Sequence, residues 1–191
     1  ELSYNLKKIN NDSNTRCVII TGSGDKAFAA GADIKEFCEY TKKEGSAMAK
    51  NNQTSLFDFI ENMQKPVIAM VNGYALGGGL ELALSCHIRI GSSRSIYGFP
   101  EVKLGLIPGY GGTQRAARIV GTGKAFEMIL SAQMIESKEA HKINLINEVY
   151  DQEDLYEKTL ELAKKISKNS PQAISKAIKT INSGYCNKGF E

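Results

Sequence analysis

The sequence predicts an α/β fold, because short apolar runs of strand length alternate with longer segments of helical periodicity. Continuous apolar runs at 17–20 and 67–71 are each bounded by turn-forming residues, and an apolar stripe at helical spacing marks 46–64. The chain has 191 residues, of which 42% are apolar and 24% charged. These values are ordinary for one globular domain and argue against disorder, collagen and a coiled coil.

The first third of the chain predicts three helices and one buried strand. Residues 1–9 carry apolar side chains three and four positions apart, which is typical of one helical face. The run at 17–20 has no polar alternation, so we expect a strand buried on both faces. A glycine-bearing loop follows at 21–26. Asp33 then provides an N-cap for a short helix, ahead of the longer helix over 46–64.

The remainder alternates in the same way. Pro66 opens the strand at 67–71, a position where a strand tolerates proline. Three glycines, Gly77 to Gly79, begin a helix that continues over 80–85. Further strands are predicted at 88–90, 96–99 and near 146–150, and further helices at 113–119, 123–131, 137–143, 153–169 and 171–182.

Charge and cysteine content exclude several classes of function. With 24 basic and 21 acidic residues the net charge is +3, too balanced to indicate a nucleic-acid or membrane partner. No apolar run approaches the roughly 18 residues that a membrane span needs. The four cysteines, at positions 17, 38, 86 and 186, form no C-x-x-C pair, which predicts reduced thiols in an intracellular protein and no metal site.

In each of two segments, 29–33 and 77–81, a turn of small residues leads into a predicted helix. Small residues let a ligand approach the backbone, and the first N–H groups of a helix have no partner within it. Two such N–H groups converging on one point would form an oxyanion hole. Ordinary turn chemistry explains the glycines equally well at this level. Nucleotide-binding loops are disfavoured, since Gly123-Lys124 has Arg118 where the phosphate loop requires glycine.

Two glutamates lie next to these turns. Glu81 falls in the first helical turn after the glycine run, among leucines, and Glu101 follows the predicted strand at 96–99. A buried carboxyl has a raised pKa, in the range useful for proton transfer. Two such groups near an oxyanion hole could orient a water molecule. Alternatively, Glu81 is a solvated helix residue and Glu101 a turn or salt-bridge carboxylate.

Three stretches, at 28–35, 65–83 and 100–115, together resemble the crotonase superfamily, and within it the enoyl-CoA hydratases. They read FAAGADIK, KPVIAMVNGYALGGGLELA and PEVKLGLIPGYGGTQR. The resemblance runs in register over essentially the whole chain. It implies a spiral of ββα units over 1–150 that carries the active site, and an incomplete C-terminal helical region over 151–191.

The resemblance also implies roles for individual residues. Glu81 and Glu101 match the two glutamates that act on one water molecule, and the presence of both favours a hydratase over an isomerase. Ala32 and Gly78 match the donors of the oxyanion hole. Residues that would line the coenzyme A site are Ala30, Asp33, Ile34 and Lys35. The substrate would be an acyl-CoA thioester, with no metal or redox cofactor, and the assembly a homotrimer or a dimer of trimers.

Some features depart from the family pattern or leave alternatives open. Family members have further strands before Glu1 and closing helices after Glu191. His87 stands where the family commonly has Asp, and Phe99 where it commonly has Gln. Six lysines and no acid over 162–188 leave RNA binding as an alternative to a solvated helix face. We expect the bacterial cytoplasm or the mitochondrial matrix as the compartment.

Overall fold

A computed structural model describes residues 1–31, 45, 48 and 50–186, with side chains described as far as residue 184. Eight strands are present in this part of the chain: β1 Val18–Thr21, β2 Ala27–Ala29, β3 Val67–Val71, β4 Tyr74–Leu76, β5 Ile88–Ser92, β6 Ile96–Gly98, β7 Met134–Glu136 and β8 Glu148–Tyr150. The helices are α1 Leu2–Asn11, α2 Asp58–Glu61, α3 Gly78–Ser85, α4 Gly112–Val120, α5 Thr122–Ser131, α6 Ser137–Lys142, α7 Leu155–Ser167 and α8 Pro171–Cys186. Two further helical turns are present, a wider π-turn at Gln53–Phe57 and a tighter 3-10 turn at Glu101–Leu104.

The strands form two four-stranded sheets. Sheet A has the order β1-β3-β5-β8 and is parallel throughout, whereas sheet B has the order β2-β4-β6-β7 with only β7 antiparallel. The chain alternates between the sheets up to β6: β1, β3 and β5 lie in sheet A, and each is followed in the chain by a strand of sheet B. Helices α2 and α3 precede the returns to sheet A at β3 and β5, whereas α4 and α5 lead from β6 to β7 within sheet B, and α6 leads on to β8 in sheet A. This path is the ββα spiral that the resemblance implies.

The core is divided by β3, whose five residues are all buried. Val67, Ala69 and Val71 face the main cluster, while Ile68 and Met70 face a second cluster that α7 closes. Alternate side chains of a strand point to opposite faces, so a strand with apolar residues on both faces reads as a continuous run. The strand predicted at 67–71 is confirmed and is buried on both faces. The prediction that the strand at 17–20 is buried on both faces is only partly confirmed, because β1 buries Val18 and Ile20 but leaves Ile19 half-buried.

Three strands that the sequence did not predict belong to sheet B. The segments of β2, β4 and β7 are three residues each, too short to show an alternating pattern. β2 directly follows the loop that the sequence predicts at 21–26. The 3-10 turn at Glu101–Leu104 is also not predicted from the sequence. The other described helices and strands agree with prediction to within a few residues. The predicted helix after Asp33 and most of 46–50 lie outside the described residues.

Within the described part of the chain, no helix combines the length and apolarity needed to cross a bilayer.

Candidate active site

The three sequence motifs meet because they follow three adjacent parallel strands. The chain leaves β2 at Ala29, β4 at Leu76 and β6 at Gly98, and these strands are neighbours in sheet B. Parallel strands present their carboxyl ends at one edge, which is where ligands bind in open α/β sheets. The turn at 30–31, the start of α3 and Glu101 are therefore brought to one edge of sheet B.

The first two turns are in direct contact. A Cβ atom at Gly79 would collide with the backbone of Ala29, so glycine is required for α3 to pack against β2. Gly31, with φ +106°, lies where a Cβ would be 3.7 Å from the carbonyl oxygen of Leu76. The two small-residue turns are thus in contact as far as Gly31, and the convergence of their N–H groups on one point stays a prediction.

Helix α3 begins at Gly78, the residue predicted as an oxyanion donor. The preceding Gly77 has φ +53°, a conformation that favours glycine, and its N–H donates to the carbonyl of Gly98 at 2.9 Å. As the first residue of the helix, Gly78 has an N–H with no acceptor within the helix. The position combines a half-buried N–H with the positive end of the helix dipole, and it can stabilise a partial negative charge on a bound oxygen.

Glu81 is buried, with only 1% of its surface exposed, so its solvated interpretation is wrong. Its Oε1 atom accepts two backbone hydrogen bonds, from the N–H of Tyr110 and that of Gly112, both at 2.7 Å. Burial raises its pKa to about 7, although these two hydrogen bonds act in the opposite direction. The carboxyl group is therefore held in one orientation and titrates near neutral pH.

Glu101 occupies the first residue of the 3-10 turn and is half-buried. A Cβ at Gly77 would lie 2.9 Å from its Oε1, which puts the carboxyl group against the start of α3. Its Oε2 is buried, and no hydrogen-bond partner for it occurs among the described residues. Burial raises the pKa of Glu101, and its charge contributes to the raised pKa of Glu81. The two carboxyl groups thus share one electrostatic environment.

The loop that binds Glu81 is held from behind by Arg115. This arginine is 4% exposed and donates from Nη1 to the carbonyl of Tyr110 at 2.7 Å. The Tyr110 ring stacks on Phe57, with ring centroids 4.7 Å apart and an interplanar angle of 13°. A Cβ at Gly112 would lie 2.8 Å from both Cγ and Oε1 of Glu81, so glycine allows the loop to approach the carboxylate.

Sequence reasoning found both glutamates but missed the residues that orient Glu81. Tyr110 and Gly112 act through backbone N–H groups, which carry no signature in the side chain. Two adjacent glycines before α4 were the available signal, and they indicated only a glycine-rich loop. Arg115 ends the motif at 100–115, and the sequence alone assigns it no role.

The predicted substrate-binding residues are only partly described. Ala30 lies at the end of β2 and is exposed at the same edge as the two glutamates. Ala32, Asp33, Ile34 and Lys35 lie outside the described residues.

The two departures from the family pattern have separate structural roles. Phe99 is completely buried in the main core, and its ring lies 2.9 Å from where a Gly112 Cβ would be. His87 accepts a hydrogen bond at Nδ1 from the N–H of Val67, at 2.9 Å, and its Nε2 lies 3.2 Å from the carbonyl oxygen of Glu61. Because Nδ1 accepts, the ring is neutral with its proton on Nε2.

Other reactive groups are not arranged for chemistry. Among the described residues, no group of three or more His, Cys, Asp or Glu side chains could hold a metal ion. Cys17 and Cys86 are free thiols, and burial raises their pKa values to about 11 and about 12. Thiols with such pKa values are poor nucleophiles at neutral pH.

Comparison with known proteins identifies the family that this fold and site define. The chain matches the model of the enoyl-CoA hydratase/isomerase family over residues 1–190, and it belongs to that family. It is 46% identical over 184 residues to the short-chain-enoyl-CoA hydratase of Clostridium acetobutylicum, covering 96% of this chain and 70% of that protein. It is 41% identical to the crotonyl-CoA hydratase of Syntrophomonas wolfei, with the same coverage.

Solved structures agree with this assignment. The crystal structure of an enoyl-CoA hydratase from Bacillus anthracis superposes with a TM-score of 0.91 at 41% identity, covering 96% of this chain and 71% of that one. The resemblance to the crotonase superfamily, and the fold that it implies, are confirmed.

Proposed function

We propose that the protein hydrates a trans-2-enoyl-CoA to a 3-hydroxyacyl-CoA and catalyses the reverse dehydration. The observation that carries this proposal is a pair of carboxyl groups, the buried Glu81 and the half-buried Glu101, at one edge of sheet B beside the first N–H groups of α3. Hydration needs a base and an acid for one water molecule, together with donors for a carbonyl oxygen. The names of the relatives, which are hydratases of short enoyl-CoA thioesters, support the same reaction.

The different surroundings of the two glutamates suggest their roles. In the reactive form the two carboxyl groups share one proton, which Glu101 carries, and the two N–H bonds to Glu81 stabilise its charge in that form. Glu81 is then the base that removes a proton from water as the oxygen attacks C3. Glu101 is the acid that delivers its proton to C2. One water is consumed, and transfer of a proton from Glu81 to Glu101 restores the starting state. If both carboxyl groups act on one water molecule, hydrogen and hydroxyl add to the same face of the double bond.

The charge that develops during attack needs stabilisation on the thioester oxygen. Gly78 would donate one hydrogen bond from the start of α3, where the helix dipole adds to the effect. The second donor in this proposal is Ala32, which the family resemblance assigns to this role. Two preorganised donors stabilise the enolate more than the ground-state carbonyl, which lowers the barrier.

The coenzyme A part of the substrate would bind along the segment that follows β2. We assign its contacts to Ala30, Asp33, Ile34 and Lys35. Of these, Ala30 is among the described residues, and Gly31 after it lies against Leu76, next to the start of α3. The reaction as proposed uses proton transfer and hydrogen bonding alone, so it requires no metal or redox cofactor. Relatives come from bacteria and, in Dictyostelium discoideum, carry a mitochondrial name, which supports the bacterial cytoplasm or the mitochondrial matrix as compartment.

We also propose that the protein assembles as a homotrimer, alone or as a dimer of trimers. Large apolar side chains are exposed on α5, on the last residue of the 3-10 turn that α5 contacts, and on the loop that follows this turn. They are Leu104, Leu106, Ile107, Phe126 and Leu130. Burial against a second copy would remove this surface from water. A Leu130→Glu variant should sediment as a smaller species than the unmodified protein, and an unchanged mass would contradict this interface.

Hydration and isomerisation are separated by one pair of assays. The protein is mixed with a four-carbon trans-2-enoyl-CoA, and loss of the conjugated-thioester absorbance is followed. In parallel, a 3-enoyl-CoA is supplied, and gain of the same absorbance is followed. A hydratase predicts rapid loss in the first assay and little gain in the second. Rapid gain without loss would assign the site to the isomerase alternative.

A further inference from the structure

Arg115 is a buried cation that the proposed reaction does not use directly. Its side chain is 5% exposed. Nη2 lies 2.7 Å from both Asp58 Oδ1 and Glu61 Oε2, and Nε donates to the same oxygen of Glu61 at 3.1 Å. Nη1 is the remaining branch of the fork, and it points to the loop that binds Glu81.

One residue of that loop, Tyr110, contacts both Arg115 and Glu81. The carbonyl oxygen of Tyr110 accepts from Arg115, and the N–H of Tyr110 donates to Glu81, both at 2.7 Å. Between the two contacting residues of the loop, a Cβ at Gly111 would collide with Nη1 of Arg115. The guanidinium therefore lies directly against the backbone that carries both donors of the Glu81 carboxylate.

The acidic partners of Arg115 come from a separate part of the chain that is itself anchored. Asp58 and Glu61 are on α2, directly after the π-turn that places Phe57 against the Tyr110 ring. The carbonyl oxygen of Glu61 is bonded by Asn182 Nδ2 at 2.6 Å. A planar guanidinium with fixed donor directions can join these elements in one geometry, which a flexible ammonium cannot reproduce.

We propose that Arg115 is a positioning residue that sets the orientation and the ionisation of Glu81 through the backbone of Tyr110. The inference rests on the proposed role of Glu81. The groups that act electrostatically on Glu81 are Glu101, which disfavours its charge, and Arg115, which favours it. A buried ion pair with no further task would change stability alone.

The substitution Arg115→Lys tests the role of the directed guanidinium hydrogen bonds, because it keeps the positive charge and removes those contacts. As the Tyr110 and Gly112 N–H bonds weaken, the pKa of Glu81 should rise above its value of about 7. Arg115→Met should raise that pKa further, because the charge is also lost. We expect kcat to fall roughly ten- to hundredfold with a smaller change in KM, since misplacement of a reacting group mainly affects the transition state.

The pKa of Glu81 can be read without turnover, from the pH titration of its carboxyl carbon in 13C-labelled protein, assigned with Glu81→Gln. This readout separates the inference from the proposed function. If Glu81→Gln hydrates at the full rate, the proposed function fails. If Glu81→Gln is inactive while Arg115→Lys keeps both the original pKa and the original kcat, the positioning role alone is wrong.

A matched control is Arg89→Lys. Arg89 is also buried, but it donates to the carbonyls of Leu145 and Cys86 at 2.9 and 2.6 Å, away from the Glu81 loop. We expect it to lower the melting temperature and to leave the pKa of Glu81 unchanged. An equal pKa change in both variants would overturn the inference. If the Arg115 variants do not fold, Asp58→Asn removes one anchor from a half-exposed site, and it should raise the same pKa by a smaller amount, whereas no change would count against the role.

Discussion

The two glutamates of the site are the same side chain in two different settings. Glu81 is on a helix, is almost fully buried and has one oxygen fixed by two backbone donors. Glu101 is on a 3-10 turn, is half-buried and has a buried oxygen with no partner among the described residues. Burial raises both pKa values, so burial alone does not distinguish them. The hydrogen bonds do, because they favour the charged form of one carboxyl group and leave the other available to a ligand.

The first prediction removes the ionisable group from each setting. Glu81→Gln and Glu101→Gln keep size and hydrogen-bonding capacity but cannot exchange a proton. Loss of a general acid or base costs roughly 10²- to 10⁴-fold, so hydration by each variant should fall by about that factor. Initial rates from the absorbance of the conjugated thioester measure the effect.

A matched control for these variants is Glu136→Gln, which changes an exposed glutamate on β7. It should hydrate at the unmodified rate. The proposed roles are contradicted if Glu81→Gln or Glu101→Gln keeps full activity in protein that is folded.

The second prediction crowds each carboxyl group without removing it. In Gly112→Ala the new Cβ would lie 2.8 Å from Cγ and Oε1 of Glu81, and in Gly77→Ala it would lie 2.9 Å from Oε1 of Glu101. Displacement of about 1 Å costs on the order of 10²-fold, so we expect kcat losses of roughly ten- to hundredfold. Steady-state kinetics with a four-carbon enoyl-CoA provide the measurement.

Backbone strain needs its own control, because Gly77 has φ +53°. Gly121 has φ +81° and ψ 156°, which like the Gly77 conformation lies outside the left-handed helical region, and open space where its Cβ would be, so Gly121→Ala introduces strain without a contact. We expect Gly121→Ala to lower stability and to retain most of its activity. If it loses as much activity as Gly77→Ala, the contact with Glu101 is not the cause.

The third prediction concerns the pH dependence of kcat/KM and the coupling between the two glutamates. Glu81 must be charged to act as a base, and its pKa lies at about 7. As the pH falls below this value, kcat/KM should decrease toward tenfold per pH unit. In Glu101→Gln the Coulomb contribution of Glu101 is absent, so the pKa of Glu81 should be lower, which the carboxyl 13C titration measures. A pKa that stays constant or rises in this variant would show that the two groups are not coupled.

The fourth and smallest effect concerns His87, which lies behind the site and affects stability rather than chemistry. Its Nδ1 accepts from Val67, and burial lowers its pKa below the usual 6.5. Its stabilising contribution is therefore fully present above about pH 6.5 and is lost as the pH falls through the lowered pKa. His87→Phe leaves the Val67 N–H without its acceptor, so the free energy of unfolding should drop by about 1–3 kcal/mol at pH 8.

Urea unfolding of His87→Phe and the unmodified protein at pH 8 and pH 5 measures this difference. It should be larger at pH 8, since at pH 5 the unfolded state gains a proton on His87 more readily than the folded state, which already lowers the stability of the unmodified protein. A difference that grows toward pH 5 would mean that the imidazolium is the stabilising form. The pKa of Glu81 should be equal in the two proteins, because His87 touches Glu61 through a backbone carbonyl.

The sequence predicted the parts of this comparison that depend on side-chain type and spacing. The glycine run before α3 and the strand at 67–71 are local patterns, so Glu81 could be placed in the first turn of a helix next to a buried strand. Its burial could not be decided, because Gly112 and Phe99, which cover it, come from distant segments. The two donors to Glu81 were also out of reach, since any residue supplies a backbone N–H.

The strands β2, β4 and β7 show the same limit at the level of the fold. Each has three residues and no alternation, and each is a strand because its neighbours in sheet B provide hydrogen-bond partners. Arg115 is a further case, since Asp58 and Glu61 precede it by more than 50 positions. Pairing of this kind is a property of the tertiary structure.

The most direct test of the two-glutamate site is the stereochemistry of hydration in D2O. If Glu81 and Glu101 act on one water from one side, the 3-hydroxyacyl-CoA should carry a single deuterium at C2. That deuterium should lie on the same face as the new hydroxyl group, and NMR coupling constants should show one diastereomer. A mixture of the two C2 diastereomers would contradict the account, because it would mean that the proton reaches C2 from solvent and not from a fixed carboxyl group.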